Sequence, residues 1–192
     1  MSEDLHRRIA VLLPDGFADW EVGMLAASAR EQFGADIRYL TPTGEDVVSI
    51  GGLRARADGR FGEASEAAPD ALVVCGSDAW VTGDLDIAPL LRAEYERGTV
   101  VAVICAATVQ AARAGLFADR AHTSNGRAWL LDVVPGYAGA DHYREGGEAV
   151  CDRRVVSAPG TAPATFAAET MALLYPGAPG LEETLAMLRA AR

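Results

Sequence analysis

The sequence is poor in the residues that build disulfide frameworks and metal centres. Only three cysteines (Cys75, Cys105, Cys151) and three histidines (His6, His122, His142) occur in 192 residues. The cysteine count is odd and no Cys-x-x-Cys pair is present, which excludes a disulfide scaffold and points to reduced thiols. The histidines are far apart and none joins a cysteine at zinc-ligand spacing, so neither a metal nor a cofactor is expected. Long apolar runs are missing too. Stretches such as Ala71–Val74 and Val100–Ile104 are far too short to cross a membrane. Positive charge is scarce: 17 basic against 27 acidic residues leave a net charge of −10. Such a surface repels phosphate backbones, so nucleic acid is a poor partner. Residues 1–8 are polar and mixed in charge, with no apolar signal core behind them, which gives the expectation of a cytoplasmic protein. There is no Ser/Gly-rich linker and no internal repeat. The length suits a single domain over residues 1–192.

What is present is an alternation of strand and helix patterns. Residues 8–13 form a buried apolar run stopped by Pro14-Asp15-Gly16. Residues 19–33 read as a helix with Asp19 as N-cap and Gly34 as stop, with Trp20, Met24, Leu25 and Ala29 on its buried face. Residues 36–41 alternate as a second strand. Residues 47–57 read as a hairpin around Gly51-Gly52. Strands over 71–75 and 99–104 then alternate with helices over 87–97 and 106–114. Residues 122–157 look mixed, and helices over 163–174 and 181–191 close the chain. This order implies an α/β fold, a doubly wound and mostly parallel sheet between two helix layers. Such sheets carry their active sites beyond the carboxyl ends of the strands.

Cys105 stands at such an end. Five apolar residues lead into it, and Ala106 and Ala107 follow with no Gly/Pro/Asn turn between strand and helix. This is the pattern of a nucleophile elbow, in which small neighbours let the side chain at the bend rise from the sheet. A thiol at a helix N-terminus has free N–H groups and the helix dipole beside it. Both favour thiolate and depress the pKa, and the same N–H groups can hold an oxyanion. A structural cysteine at a strand end is the competing reading. Glu21, in Asp15-Gly16-Phe17-Ala18-Asp19-Trp20-Glu21, would lie near the same sheet edge. If protonated it could donate a hydrogen bond to the thiolate; otherwise it is an ordinary helix-start acid.

With these motifs the chain resembles the DJ-1/PfpI superfamily, also described as class I glutamine-amidotransferase-like domains. The resemblance runs from about Arg8 to Leu174. It rests on the Asp15–Glu21 segment, on Leu72-Val73-Val74-Cys75-Gly76-Ser77, and on Ala102-Val103-Ile104-Cys105-Ala106-Ala107. It continues through Ala114-Gly115-Leu116-Phe117-Ala118-Asp119-Arg120, His122-Thr123-Ser124-Asn125 and Ser157-Ala158-Pro159-Gly160-Thr161-Ala162-Pro163. The resemblance implies a flavodoxin-like three-layer sandwich, usually a homodimer, with a reactive elbow cysteine contacted by a glutamate. Those roles fall on Cys105 and Glu21, and the anion pocket on the backbone of Gly76, Ser77 and Ala106.

The sequence departs from that pattern in three ways. Ala106 stands where peptidase-like members carry a histidine, so protease is a poor reading. No His-x-Glu follows near the C-terminus, so glutamine amidotransferase is equally poor. Cys75 replaces the proline of a more usual Pro-Gly-Gly, where it is either a small apolar filler or a resolving thiol for an oxidised Cys105. His122 is the remaining candidate base, with Ser124 and Asn125 as alternatives for the residue that faces the site. Strand alternation would put His122 and Ser124 on one face. Trp80, following the pocket loop, is a candidate wall.

Three functions fit these residues. One is an enzyme acting on a small carbonyl or amide-like substrate, of hydratase, glyoxalase-like or amidase-like type. The second is an oxidative-stress protein whose Cys105 is oxidised to sulfinate. The third is a non-catalytic homodimeric binding domain.

Overall fold

The computed structural model describes residues 6–191; the polar stretch read above as lacking an export signal lies, over residues 1–5, outside the described residues. In chain order the elements are β1 (Arg8–Leu12), α1 (Trp20–Phe33), β2 (Asp36–Thr41), β3 (Val47–Val48), β4 (Arg54–Ala55), β5 (Gly59–Arg60), β6 (Ala71–Val74), α2 (Ala79–Thr82), α3 (Ala88–Arg97), β7 (Val100–Ile104), α4 (Thr108–Arg113), α5 (Arg127–Val133), β8 (Val150–Asp152), β9 (Val155–Ala158), α6 (Pro163–Leu174) and α7 (Leu181–Ala190).

Seven strands pair in the order β5-β2-β1-β6-β7-β9-β8, all parallel except the β8–β9 pair. The central strands β6 and β7 are buried along their whole length. That explains their unbroken apolar runs, since a parallel strand with helices on both faces has no solvent side. One core layer joins α1, α6 and α7 to the sheet through residues such as Leu25, Phe33, Phe166 and Met171. The other joins α3, α4 and α5 through Trp80, Leu91, Phe117 and Leu130. Cys105 packs against both layers. Among the described residues, no helix is long and apolar enough to cross a membrane.

Several local expectations are corrected. Asp19 makes no side-chain cap hydrogen bond and has helical dihedrals. Its Oδ2 instead accepts a bond from the Ser49 hydroxyl, which ties α1 to the β3–β4 hairpin. The buried face of α1 runs through Glu21, Val22, Leu25, Ala26, Ala29 and Phe33, so Trp20 points outward. The turn after β7 is a 3-10 turn over Cys105–Ala107, followed by only six α-helical residues. The dipole behind the thiol is therefore short. Within the mixed 122–157 region the chain forms α5.

Candidate active site

Three parallel strand ends converge on Cys105. Register pairs Val74 with Val103 and Ile104 with Ala158, so the segments leaving β6 and β9 flank the cysteine. Cys105 itself has φ +59°, a left-handed conformation that a non-glycine residue adopts at a cost. Holding it there turns the side chain sharply out of the strand, as an elbow requires.

The flanking residues are glycines for a steric reason. A Cβ on Gly76 would lie 2.6 Å from Cys105 Cβ and 2.6 Å from Glu21 Oε2. A Cβ on Gly160 would lie 2.8 Å from Cys105 Sγ and 3.0 Å from Glu21 Oε1. The two glycines thus form the sides of a slot in which the thiol and the carboxyl meet.

Glu21 is fully buried in the first turn of α1. Its Oε2 accepts the Gly76 N–H at 2.7 Å and lies 3.7 Å from Cys75 Sγ. Its Oε1 has no well-formed hydrogen-bond partner, although the Cys105 thiol lies against the carboxyl closely enough for each to act on the other's proton. Burial raises the Glu21 pKa, against the pull of the Gly76 N–H and the two thiols. Burial and the Glu21 charge together push Cys105 up to about 11, while the Asn125 amide and the Ala106 N–H pull it down. The depressed pKa expected from a helix N-terminus is therefore not what this arrangement yields while Glu21 is ionised. Burial opposes the charge on both groups, and an ionised Glu21 opposes a second charge on the sulfur.

Asn125 is the residue of the 122–125 segment that reaches the thiol. Its Nδ2 donates to Cys105 Sγ at 3.2 Å, and its Oδ1 accepts the Gly160 N–H at 3.0 Å. The second bond fixes which end of the amide faces the sulfur. Gly160 C=O in turn accepts the Trp20 indole N–H at 3.0 Å. Ser124 bonds to Thr108, whose hydroxyl also donates to the Cys105 carbonyl at 2.6 Å, so it braces the elbow from beneath.

His122 is placed elsewhere. It is fully buried, stacked on Phe117, with Nδ1 on the Arg120 carbonyl and Nε2 on the Tyr137 hydroxyl. Both ring nitrogens are engaged in the α4–α5 layer, and burial lowers the pKa. Trp80 is also core. Its indole N–H donates to the Cys75 carbonyl at 2.7 Å and its ring stacks on Phe61. Gly76 spends its N–H on Glu21 rather than leaving it for a substrate oxygen. Ser77 lines the hollow, with its hydroxyl bonded to the Asp15 carbonyl. Cys75 is fully buried, its thiol directed at Ala18 C=O (3.2 Å), and burial pushes its pKa well up. That is the reverse of what a fast resolving thiol needs.

A small hollow of about 100 Å³ opens beside Cys105, walled by Trp20, Ile50, Ser77 and Ala106 among others. Ile50 arrives from the β3–β4 hairpin, which is fastened to the loop after β1 by Gly16 N–H to Val48 C=O and Ile50 N–H to Phe17 C=O. Among the described residues there is no cluster of His, Cys, Asp and Glu that could hold a metal.

Fold and site together define a parallel α/β protein with a strained elbow cysteine set against a buried acid. The chain belongs to the DJ-1/PfpI family, whose family model matches residues 7–173. It is 31% identical over 183 residues to a Bacillus subtilis protein named "Uncharacterized protease YoaZ", covering 90% of this chain and 86% of that one. Among solved structures it is similar to the DJ-1 superfamily protein Atu0886 from Agrobacterium tumefaciens, at 38% identity and a TM-score of 0.88, covering 96% and 98% of the two chains. Drosophila melanogaster DJ-1beta shares the fold at 20% identity, TM-score 0.74 and 96% coverage of each chain.

Proposed function

We propose that this chain is a cysteine-dependent enzyme acting on a small carbonyl or amide-like substrate, with Cys105 as nucleophile and Glu21 as proton carrier. The observation that carries the reading is the buried Glu21 Oε1, without a well-formed partner, set against the thiol in a slot between Gly76 and Gly160. The thiol proton passes from Sγ to Glu21 Oε1. The thiolate, held by the Asn125 amide, then attacks the carbonyl carbon. A C–S bond forms, and the C=O π pair moves to oxygen, which takes the proton from Glu21. The N–H groups of Ala106 and Ser77 hold that oxygen during the step. Glu21 thereby does the work that an adjacent histidine would do elsewhere, and Ala106 leaves room for the substrate instead.

The relative named as a protease lends no support to peptide cleavage here, because the residue after the nucleophile is Ala106. The proposed assembly is a homodimer of the 20.1 kDa chain in the cytoplasm. The test is turnover of small α-oxoaldehydes, nitriles and amides by wild type, Cys105→Ala and Glu21→Gln. Activity in wild type that both variants lose supports the reading; activity that survives Cys105→Ala refutes it.

The same unpartnered oxygen favours a second reading, in which peroxide oxidises Cys105 to sulfinate and protonated Glu21 binds the new oxygens. A mass gain of two oxygen atoms on Cys105 at low peroxide, lost in Glu21→Gln, would support it.

A further inference from the structure

The walls of the hollow above Cys105 differ in character from its floor. The floor holds the thiol and the buried Glu21. The rim holds Trp20, 51% exposed, and Ile50, 64% exposed, two of the few large apolar side chains left in solvent. Asp78 completes the rim, and among the described residues lining the hollow none is basic. The Trp20 position is not accidental looseness, since its indole N–H is fixed on Gly160 C=O. Ile50 is held at the hairpin tip by its own N–H on Phe17 C=O.

A carboxylate or phosphate entering here meets the Asp78 carboxylate on the rim and the acidic Glu21 on the floor, in a chain of net charge −10, and among the described residues lining the hollow no cation receives it. An uncharged group meets the Trp20 indole and the sec-butyl side chain of Ile50, apolar surface that water otherwise covers. Resting on the function proposed above, we infer that the substrate is a small uncharged electrophile with an apolar substituent, which Trp20 and Ile50 seat, and that acids and phosphate esters are rejected by charge.

Alkylation of Cys105 measures this without turnover, because each reagent needs only the thiolate. The thiolate displaces iodide, a C–S bond forms and the C–I bond breaks. Iodoacetamide, iodoacetate and iodoacetanilide share this step and differ in charge and apolar bulk. Rates are read on the Cys105 peptide by mass, relative to N-acetylcysteine at the same pH. The expected result is an iodoacetamide-to-iodoacetate ratio on the order of thirtyfold above that of the free thiol. Asp78→Asn narrows it. Iodoacetanilide gains roughly tenfold over iodoacetamide, and Ile50→Ser and Trp20→Ala reduce that gain. Variants are checked for folding by their thermal melts, and Ile50 is exposed enough to tolerate the change. A ratio equal to that of the free thiol, or no gain for the anilide, overturns the inference while leaving Cys105 a nucleophile. A Cys105 inert to all three reagents in wild type overturns the nucleophile reading, and this inference with it.

Discussion

Replacing Glu21 by Gln should make Cys105 more reactive towards an alkylating reagent and, at the same time, abolish turnover. The thiol stands at about 11, raised first by burial and then by the Glu21 charge. At pH 8 that leaves about one thiol in a thousand as thiolate. Gln keeps the shape and the contact with Gly76 N–H through its carbonyl, but removes the charge. For a unit charge about 4 Å away at an effective dielectric near 20, the repulsion relieved is at most about 4 kcal/mol. Since burial remains and is the larger cause, a fall in pKa of one to two pH units is the reasonable share, worth about 1.4–2.7 kcal/mol. The thiolate fraction should then rise roughly ten- to a hundredfold at pH 8. The assay is the iodoacetamide rate at Cys105 from pH 6 to 11, read by peptide mass, beside the rate on the best small carbonyl substrate. The wild-type profile should bend near pH 11 and the variant profile clearly below it. A variant that alkylates more slowly than wild type would refute the argument, because it would mean that Glu21 stabilises the thiolate at rest. A variant that alkylates faster and also turns over faster would show that Glu21 is no proton carrier.

Other expectations follow from the same geometry. Asn125→Ala removes the amide donor to the sulfur and should slow Cys105 alkylation about ten- to a hundredfold near neutral pH, the worth of a hydrogen bond to a charged group; an unchanged rate would mean the contact is idle. Gly76→Ala must push its methyl into Cys105 and Glu21, and should cost about 1–3 kcal/mol of stability in urea melts together with loss of thiol reactivity. His122 has a folded pKa below its unfolded one, so the unfolded chain binds the extra proton. Its contribution is intact above about pH 6.5 and is lost as pH falls through and below that value. Thermal stability should therefore drop between pH 7 and 5, less so in His122→Phe, and that substitution should leave the Cys105 alkylation rate alone.

The strands were legible because a parallel sheet covered on both faces writes itself as apolar runs. Residues 36–41 and Pro163–Leu174 coincide with β2 and α6, and the other main elements shift by a residue or so. The elbow and its acid are legible from Cys105 directly after the β7 run and from Glu21 in the first turn of the helix that follows β1. What escaped was whatever depends on side-chain direction across the sheet edge. Trp20 reads as a core residue by type, yet the helix phase is set by Glu21 turning inward, which rotates Trp20 to the rim. His122 attracts attention as a base, but Phe117, Tyr137 and Tyr143 form an aromatic box around it that sequence separation hides. Asn125 is one of three alternatives, and it is the one whose amide spans Cys105 Sγ and the Gly160 N–H, while Ser124 and His122 bond elsewhere. The readable signal was Gly160 itself, a glycine just past a strand end that neighbours the cysteine strand.

Because Cys105 touches the core layers on both faces of the sheet, it is a point through which the two halves of the molecule share one side chain. Any group added to the sulfur must be accommodated by two independent sets of helices at once, within a slot whose glycine sides have no slack. The melting temperature of the whole chain then becomes a gauge of what the sulfur carries. Adducts that fit the hollow should leave it unchanged or raise it, and those that do not should lower it, so a thermal screen can sort candidate substrates before any reaction is known.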